Sequence, residues 1–110
     1  MTLSVDLNAD MGESFGPWPR GDDAALLQVV TSANIACGFP AGDPGTMAKP
    51  MALAVENGVG IGAPPGFPDL HGFGRRRMQM QKDELQNAIR YQLGAAQAMA
   101  RVAGGKVRLL

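Results

Sequence analysis

The chain has 110 residues, 45% of them hydrophobic and 18% charged, which is the size and composition of one ordinary globular domain. Ten Lys and Arg balance ten Asp and Glu, so net charge gives no electrostatic case for binding nucleic acid or an anionic membrane. Cys37 is the single cysteine and excludes an internal disulfide, MTLSVDLNAD lacks the basic flank and apolar run of a secretory leader, and no stretch reaches the roughly 18–20 apolar residues of a spanning helix. A cytoplasmic protein is the expectation.

The charges are unevenly placed. Residues 1–74 hold eight acids and two bases, whereas residues 75–110 hold two acids and eight bases, so the two parts attract each other or each attracts something else.

In chain order, residues 3–8 alternate Val5 and Leu7 with Asp6 and Asn8, which predicts a strand with one apolar and one polar face. A Gly- and Pro-rich turn covers 12–21, and Asp22 then caps a short helix carrying Leu26, Leu27 and Val30. Residues 32–36 give a second two-faced strand, with Ser32, Asn34 and Ala36 opposite Ala33 and Ile35. Asp43-Pro44 reads as the cap and first position of a second helix with Met47, Met51, Ala54 and Val55 on its apolar face and Asn57-Gly58 as its stop. Pro50 falls inside that helix, where it removes a hydrogen bond and predicts a kink or a late start.

Residues 59–63 are short, apolar and followed by Pro64-Pro65, which predicts a third strand. After a long loop, Asp83 and Gln86 form a capping-box pattern for a third helix. Its expected inner face is Leu85, Ile89, Leu93, Ala96 and Met99, and Gly104-Gly105 ends it. Residues 106–110 begin a fourth strand. This alternation predicts an α/β fold of parallel βα units with right-handed crossovers. One face of each strand is polar or tiny (Asp6 and Asn8, Ser32 and Asn34, Gly60 and Gly62), which suits a barrel interior better than a helix-covered sheet.

Asp6, Asn8 and Asp10 recur at period two and Glu13 follows in the adjoining turn, so oxygen ligands or acid–base groups converge near the carboxyl end of the first strand. A solvated edge followed by a turn accounts for the same spacing. Asn34 falls on the matching face of the next strand, and Asp43 sits at a helix start, where it serves either as a cap or beside an anion site. The guanidinium groups of Arg75 to Arg77 suit a planar anion such as a carboxylate or phosphate, and a solvated loop is the alternative. No G-x-x-x-x-G-K-[ST] run is present to cradle a nucleotide. Cys37 and the seven methionines read as packing, and His71 as a solvated loop residue.

Four segments in order, VDLNADMGES, SANIACGFPAGD, ENGVGIGAPPGFPD and GFGRR, resemble the LamB/YcsF family. The resemblance covers nearly the whole chain and extends through RYQLGAAQAMARVAGGKVR, which is similar to the family's third helix and its approach to a fourth strand. It implies a seven-stranded TIM-like βα barrel related to metal-dependent polysaccharide deacetylases. Residues 1–110 would form its N-terminal part, three βα units plus the start of strand four. It also implies a hydrolase that opens the cyclic amide 5-oxo-L-proline to L-glutamate, as the A component of an ATP-hydrolysing 5-oxoprolinase. ATP would be the co-substrate, 5-oxoprolinase subunits B and C the partners, and a divalent metal a family cofactor.

Carried over position by position, the resemblance implies catalytic roles for Asp6, Asn8, Asp10 and Glu13, and substrate-binding roles for Asn34, Asp43, Asp69, Arg75 and Arg76. Cys37 and Gly38 also match the second motif. Pro40 and Pro64 stand where the family has histidine. Proline offers neither an imidazole nor a backbone N–H, so no histidine-based metal site is expected and catalysis by this chain alone is expected to be impaired. Three βα units leave an open parallel edge, which predicts self-association. Two further readings stay open: a non-catalytic module that binds the other 5-oxoprolinase subunits, and a decayed gene product.

Overall fold

Four parallel strands alternate with three helices among the described residues of the computed structural model, which are 2–14, 21–69 and 71–109. The elements are β1 (Asn8–Met11), α1 (Asp23–Leu26), β2 (Ser32–Ile35), α2 (Pro44–Glu56), β3 (Gly60–Gly62), α3 (Lys82–Val102) and β4 (Val107–Leu109). The sheet has the order β1-β2-β3-β4 with every neighbouring pair parallel, as the alternation of elements predicts. The open sheet is consistent with part of a βα barrel. Most of the Gly- and Pro-rich turn at 12–21 and the last residue of the expected fourth strand lie outside the described residues.

Three expectations need correction. The first strand forms at Asn8–Met11, later than 3–8, because its partner begins only at Ser32 and the register runs Asn8↔Ser32 to Met11↔Ile35. Leu3, Val5 and Leu7 therefore remain exposed, at 90%, 80% and 50%. The first helix is a single turn that stops at Leu26, although Asp22 caps it as expected by accepting from the Ala25 N–H at 3.2 Å. The third helix starts after Gln81, not Asp83, and no side chain caps it. Asp83 and Glu84 instead occupy its first turn, where their charge complements the helix dipole.

The second helix follows its sequence signals. Asp43 accepts from the Thr46 N–H at 2.9 Å and from the Thr46 hydroxyl at 2.8 Å, and Pro44 takes the first helical position. The helix continues through Pro50, whose ring is buried on its inner face with Met47, Met51 and Ala54. That burial offsets part of the cost of the hydrogen bond that proline cannot make.

The core lies between the helices and one face of the sheet. Ala33 and Ile35 of β2 and Ile61 of β3 meet Met47, Met51 and Ala54 of α2 and Ala96 and Ala100 of α3. The buried line of α3 is Gln92, Ala96 and Ala100, spaced four apart, whereas Leu85 and Ile89 of the expected stripe are more than a third exposed. Small residues let α3 approach the sheet closely. No described helix is long and apolar enough to cross a membrane.

Candidate functional site

The opposite face of the sheet is polar, and its register explains how. Asn8, Ser32 and Gly60 form one row across the strands, and Asp10, Asn34 and Gly62 form the next. Within these rows the Asn8 and Asn34 amides bond reciprocally. Asn34 Nδ2 donates to Asn8 Oδ1 at 2.8 Å, and Asn8 Nδ2 donates to Asn34 Oδ1 at 3.2 Å and to Ser32 Oγ at 2.8 Å. Asn34 Nδ2 also donates to Asp10 Oδ1 at 3.1 Å. At the amino end, Asp6 accepts from the hydroxyls of Ser32, at 3.1 Å, and Thr31. Gly62 leaves room for this network, because a Cβ would come within 2.6 Å of Asn34 Oδ1 and the amide would have to shift.

Beyond Asp10 and Asn34, at the carboxyl ends of the strands, the loops enclose a cavity of about 240 Å³. Asp10 and Asn34 line it from the first two strands, Glu13 from the segment after β1, Phe39 and Pro40 from the loop after β2, and Pro64, Gly66, Phe73 and Arg75 from the loop after β3. In parallel α/β folds, ligands bind at this end of the strands. A larger cavity of about 540 Å³ opens at the other end of β3, where Val59, Gly60, Lys106 and Arg108 line it and no predicted site residue is present.

The loop after β3 is held by two devices. Asp69 is buried and accepts from Arg76 Nη2 at 2.5 Å, Arg76 Nε at 3.1 Å and the Gly72 N–H at 2.9 Å. The Arg76 guanidinium, with help from the Gly72 N–H, holds the Asp69 carboxyl down at about 2, and Asp69 in turn raises the pKa of Arg76. A Cβ on Gly72 would overlap both Asp69 Oδ2 and Arg76 Nε, so only glycine fits inside the pair. Phe73 follows with a left-handed φ of 56°, a strained conformation for an aromatic residue, and its ring lies 5.9 Å from the Arg75 guanidinium carbon.

The second device is Gln92 of α3, which is fully buried. Its amide accepts from the Gly66 N–H and donates to the Gly66 carbonyl, both at 2.8 Å, and donates to the Ala88 carbonyl at 3.0 Å. Gly66 in turn packs on Pro40, whose Cδ would lie 3.0 Å from a Cβ at that position. Sequence reading missed Gln92. Its only signal was a polar residue four positions before Ala96, on the helix face that the structure buries.

The structure thus brings Asp10, Glu13, Asn34 and Arg75 to one cavity, together with Pro40 and Pro64. Asp6 and Asn8 connect to it through the polar rows, Asp43 caps α2, and Asp69 pairs with Arg76. His71 is exposed. Cys37 is buried, its thiol pushed up to about 11 by burial, and it packs in the core. No group of three His, Cys, Asp or Glu side chains able to hold an ion occurs among the described residues, and Pro40 and Pro64 offer no imidazole to the cavity that they line.

Comparison with known proteins bears on the family and the fold. The LamB/YcsF family description matches residues 5–110. The chain is similar to the 5-oxoprolinase A-subunit of Ruegeria pomeroyi, at 72% identity over 106 residues, 96% of this chain and 42% of the relative. It is also similar to the protein of the same name from Methylococcus capsulatus, at 57% identity over 97% of this chain and 41% of the relative. The solved structure of a lactam utilization protein from Thermus thermophilus superposes with a TM-score of 0.90 at 45% identity, covering 96% of this chain and 43% of that one. The chain therefore spans about two fifths of the length of the relatives it matches. Motifs, fold and family match lead to the same assignment: the chain belongs to the LamB/YcsF family.

Proposed function

We propose that residues 1–110 form the N-terminal part of a 5-oxoprolinase A-subunit barrel and carry a 5-oxo-L-proline-binding portion of its site. The observation that carries this reading is the cavity that joins Asp10, Glu13 and Asn34 to Arg75 at the carboxyl ends of the strands. The ligand is small and has two polar ends, a carboxylate and a cyclic amide. Arg75 offers its guanidinium to the carboxylate, and Asn34 and Asp10 present an amide and a carboxylate to the lactam. Hydrolysis adds water across the carbonyl–nitrogen bond, which calls for a base to take a proton from water and an acid to give one to the departing nitrogen. Glu13 and Asp10 are the carboxyl pair available for these roles.

The remaining candidates act through these four. Asp6 and Asn8 position Asn34 and Asp10 through the polar rows, Asp69 and Arg76 shape the loop that carries Arg75, and Asp43 fixes the start of α2. ATP is proposed as co-substrate and 5-oxoprolinase subunits B and C as partners. The chain lacks a phosphate-cradling glycine run, so nucleotide binding is assigned to the assembled complex. A cytoplasmic setting goes with this reading and suits an unpaired, buried thiol.

A second reading, a module that binds without turnover, is favoured by Pro40 and Pro64 in the cavity wall, where imidazoles would have supplied proton transfer near neutral pH. Calorimetric titration with 5-oxo-L-proline tests the common part of both. Saturable binding is expected, weakened about tenfold or more in Arg75→Ala, a loss of roughly 1.4 kcal/mol or more. Absence of binding at millimolar ligand, or equal binding by the two proteins, contradicts the proposal. Glutamate release on adding ATP together with subunits B and C separates the enzyme from the binding module.

A further inference from the structure

The donors and acceptors of the polar rows are fixed from both ends. A carboxylate accepts hydrogen bonds and does not donate them, so the Asn34 atom that meets Asp10 Oδ1 at 3.1 Å is the amide nitrogen. Its second proton goes to Asn8 Oδ1 at 2.8 Å. That leaves Asn8 Nδ2 to donate to Ser32 Oγ at 2.8 Å and to Asn34 Oδ1 at 3.2 Å, while the Ser32 hydroxyl donates to Asp6 Oδ2 at 3.1 Å. Flipping either amide would set oxygen against oxygen. The two carboxylates therefore hold both amides in one orientation.

Every side-chain proton of Asn8, Ser32 and Asn34 is thereby used within the rows, and what the rows turn outward is acceptors. Asn34 Oδ1 keeps a second lone pair, and Gly62 beside it on β3 adds no side chain to cover it. This oxygen stands next to the Asp10 carboxylate in the cavity wall. The loops around the cavity are also poor in donors. Pro40, Pro64 and Pro65 have no N–H, and the N–H groups of Gly66 and Gly74 are taken by Gln92 Oε1 and the Asp69 carbonyl. Among the described lining residues, Arg75 is the side chain with donors left to give.

We propose that Asn34 Oδ1 and Asp10 read the ring N–H of the bound ligand, so that the site distinguishes a lactam from a ring of the same shape without that N–H. The inference rests on the lactam reading of the cavity and adds which end of the cyclic amide is recognised. The ring nitrogen lies against Asp10 and Asn34, the carbonyl oxygen is turned away from them, and the carboxylate lies at Arg75. A ligand carbonyl set against Asp10 and Asn34 would meet acceptors, and a ring without the N–H would desolvate both without giving either a partner. Asp6 and Ser32 are positioning residues, acting through Asn8 to keep the Asn34 oxygen outward.

Calorimetric titration of the chain with 5-oxo-L-proline, and with the cyclopentanone carboxylate that has a methylene in place of the ring N–H, tests it. The methylene compound is expected to bind about tenfold or more weaker. In NMR spectra, 5-oxo-L-proline is expected to shift the Asn34 side-chain carbonyl carbon and to leave its amide protons in place. Asp10→Asn brings a donor into the row, and the gap between the two ligands is expected to narrow by about threefold or more. Equal or tighter binding of the methylene compound, movement of the Asn34 amide protons in place of its carbonyl carbon, or an unchanged gap in folded Asp10→Asn overturns the inference and leaves the ligand reading standing. Where Asp10→Asn does not fold or bind, the wild-type ligand pair and the carbonyl signal decide. Absence of binding by both ligands overturns the ligand reading and this inference with it.

Discussion

Asp69 illustrates how a residue matched to a family motif can act by holding a loop. Its carboxyl sits at about 2 instead of 3.8, chiefly because the Arg76 side chain donates to it and secondarily because the Gly72 N–H does. A carboxyl lowered on folding contributes stability above its unfolded pKa and loses that contribution as pH falls through its folded value. The window here runs from about pH 4 down to pH 2. In Arg76→Ala the Asp69 carboxyl is expected to titrate closer to 3.8, and unfolding should depend less on pH within that window. An NMR titration of the side-chain carboxyl checks this, and a carboxyl still near 2 in the variant would transfer its control to the Gly72 N–H. Asp69 and Arg76 could be singled out from their motifs. Their pairing could not, because it depends on a turn through Gly72 that admits no side chain.

The helices differ in how far their sequence patterns revealed their packing. For α2 the Asp43-Pro44 start, the Asn57 stop and the Met47, Met51 and Ala54 face were all legible, since capping and periodicity are local properties. For α3 the element and part of its inner face were legible, since Ala96 is buried and Leu93 and Met99 pack against the core as expected. Leu85 and Ile89 of the same expected stripe stay more than a third exposed, whereas close packing on the sheet also takes in Ala100 and the Gln92 amide. Periodicity identifies an apolar face, but the approach distance decides which residues enter it. Gln92→Leu would leave the Gly66 N–H and carbonyl without their partners, a loss of about 1–3 kcal/mol. Denaturant unfolding measures it, and a variant within about 0.5 kcal/mol of the parent would remove Gln92 from the supports of the cavity wall.

At the scale of the whole molecule, alternation of strands and helices was enough to predict the parallel sheet, and the polar residues at period two were enough to predict its polar face. The cavity was beyond such reading. It combines residues from β1, β2 and the loop after β3, and only the register that sets Asp10 beside Asn34 brings them together. Position-by-position matching to the family named Asp10, Glu13, Asn34 and Arg75 among nine candidates, and the fold places these four of the nine at the cavity. The central claim is that this cavity receives a small carboxylate-bearing lactam. Backbone amide NMR during titration with 5-oxo-L-proline tests it most directly. Saturable shifts concentrated at Asn34, Gly66, Gly74 and Arg75 are expected, with Lys106 and Arg108 at the other end of the sheet unmoved. Shifts confined to the Lys106 and Arg108 end, or none at millimolar ligand, would contradict it.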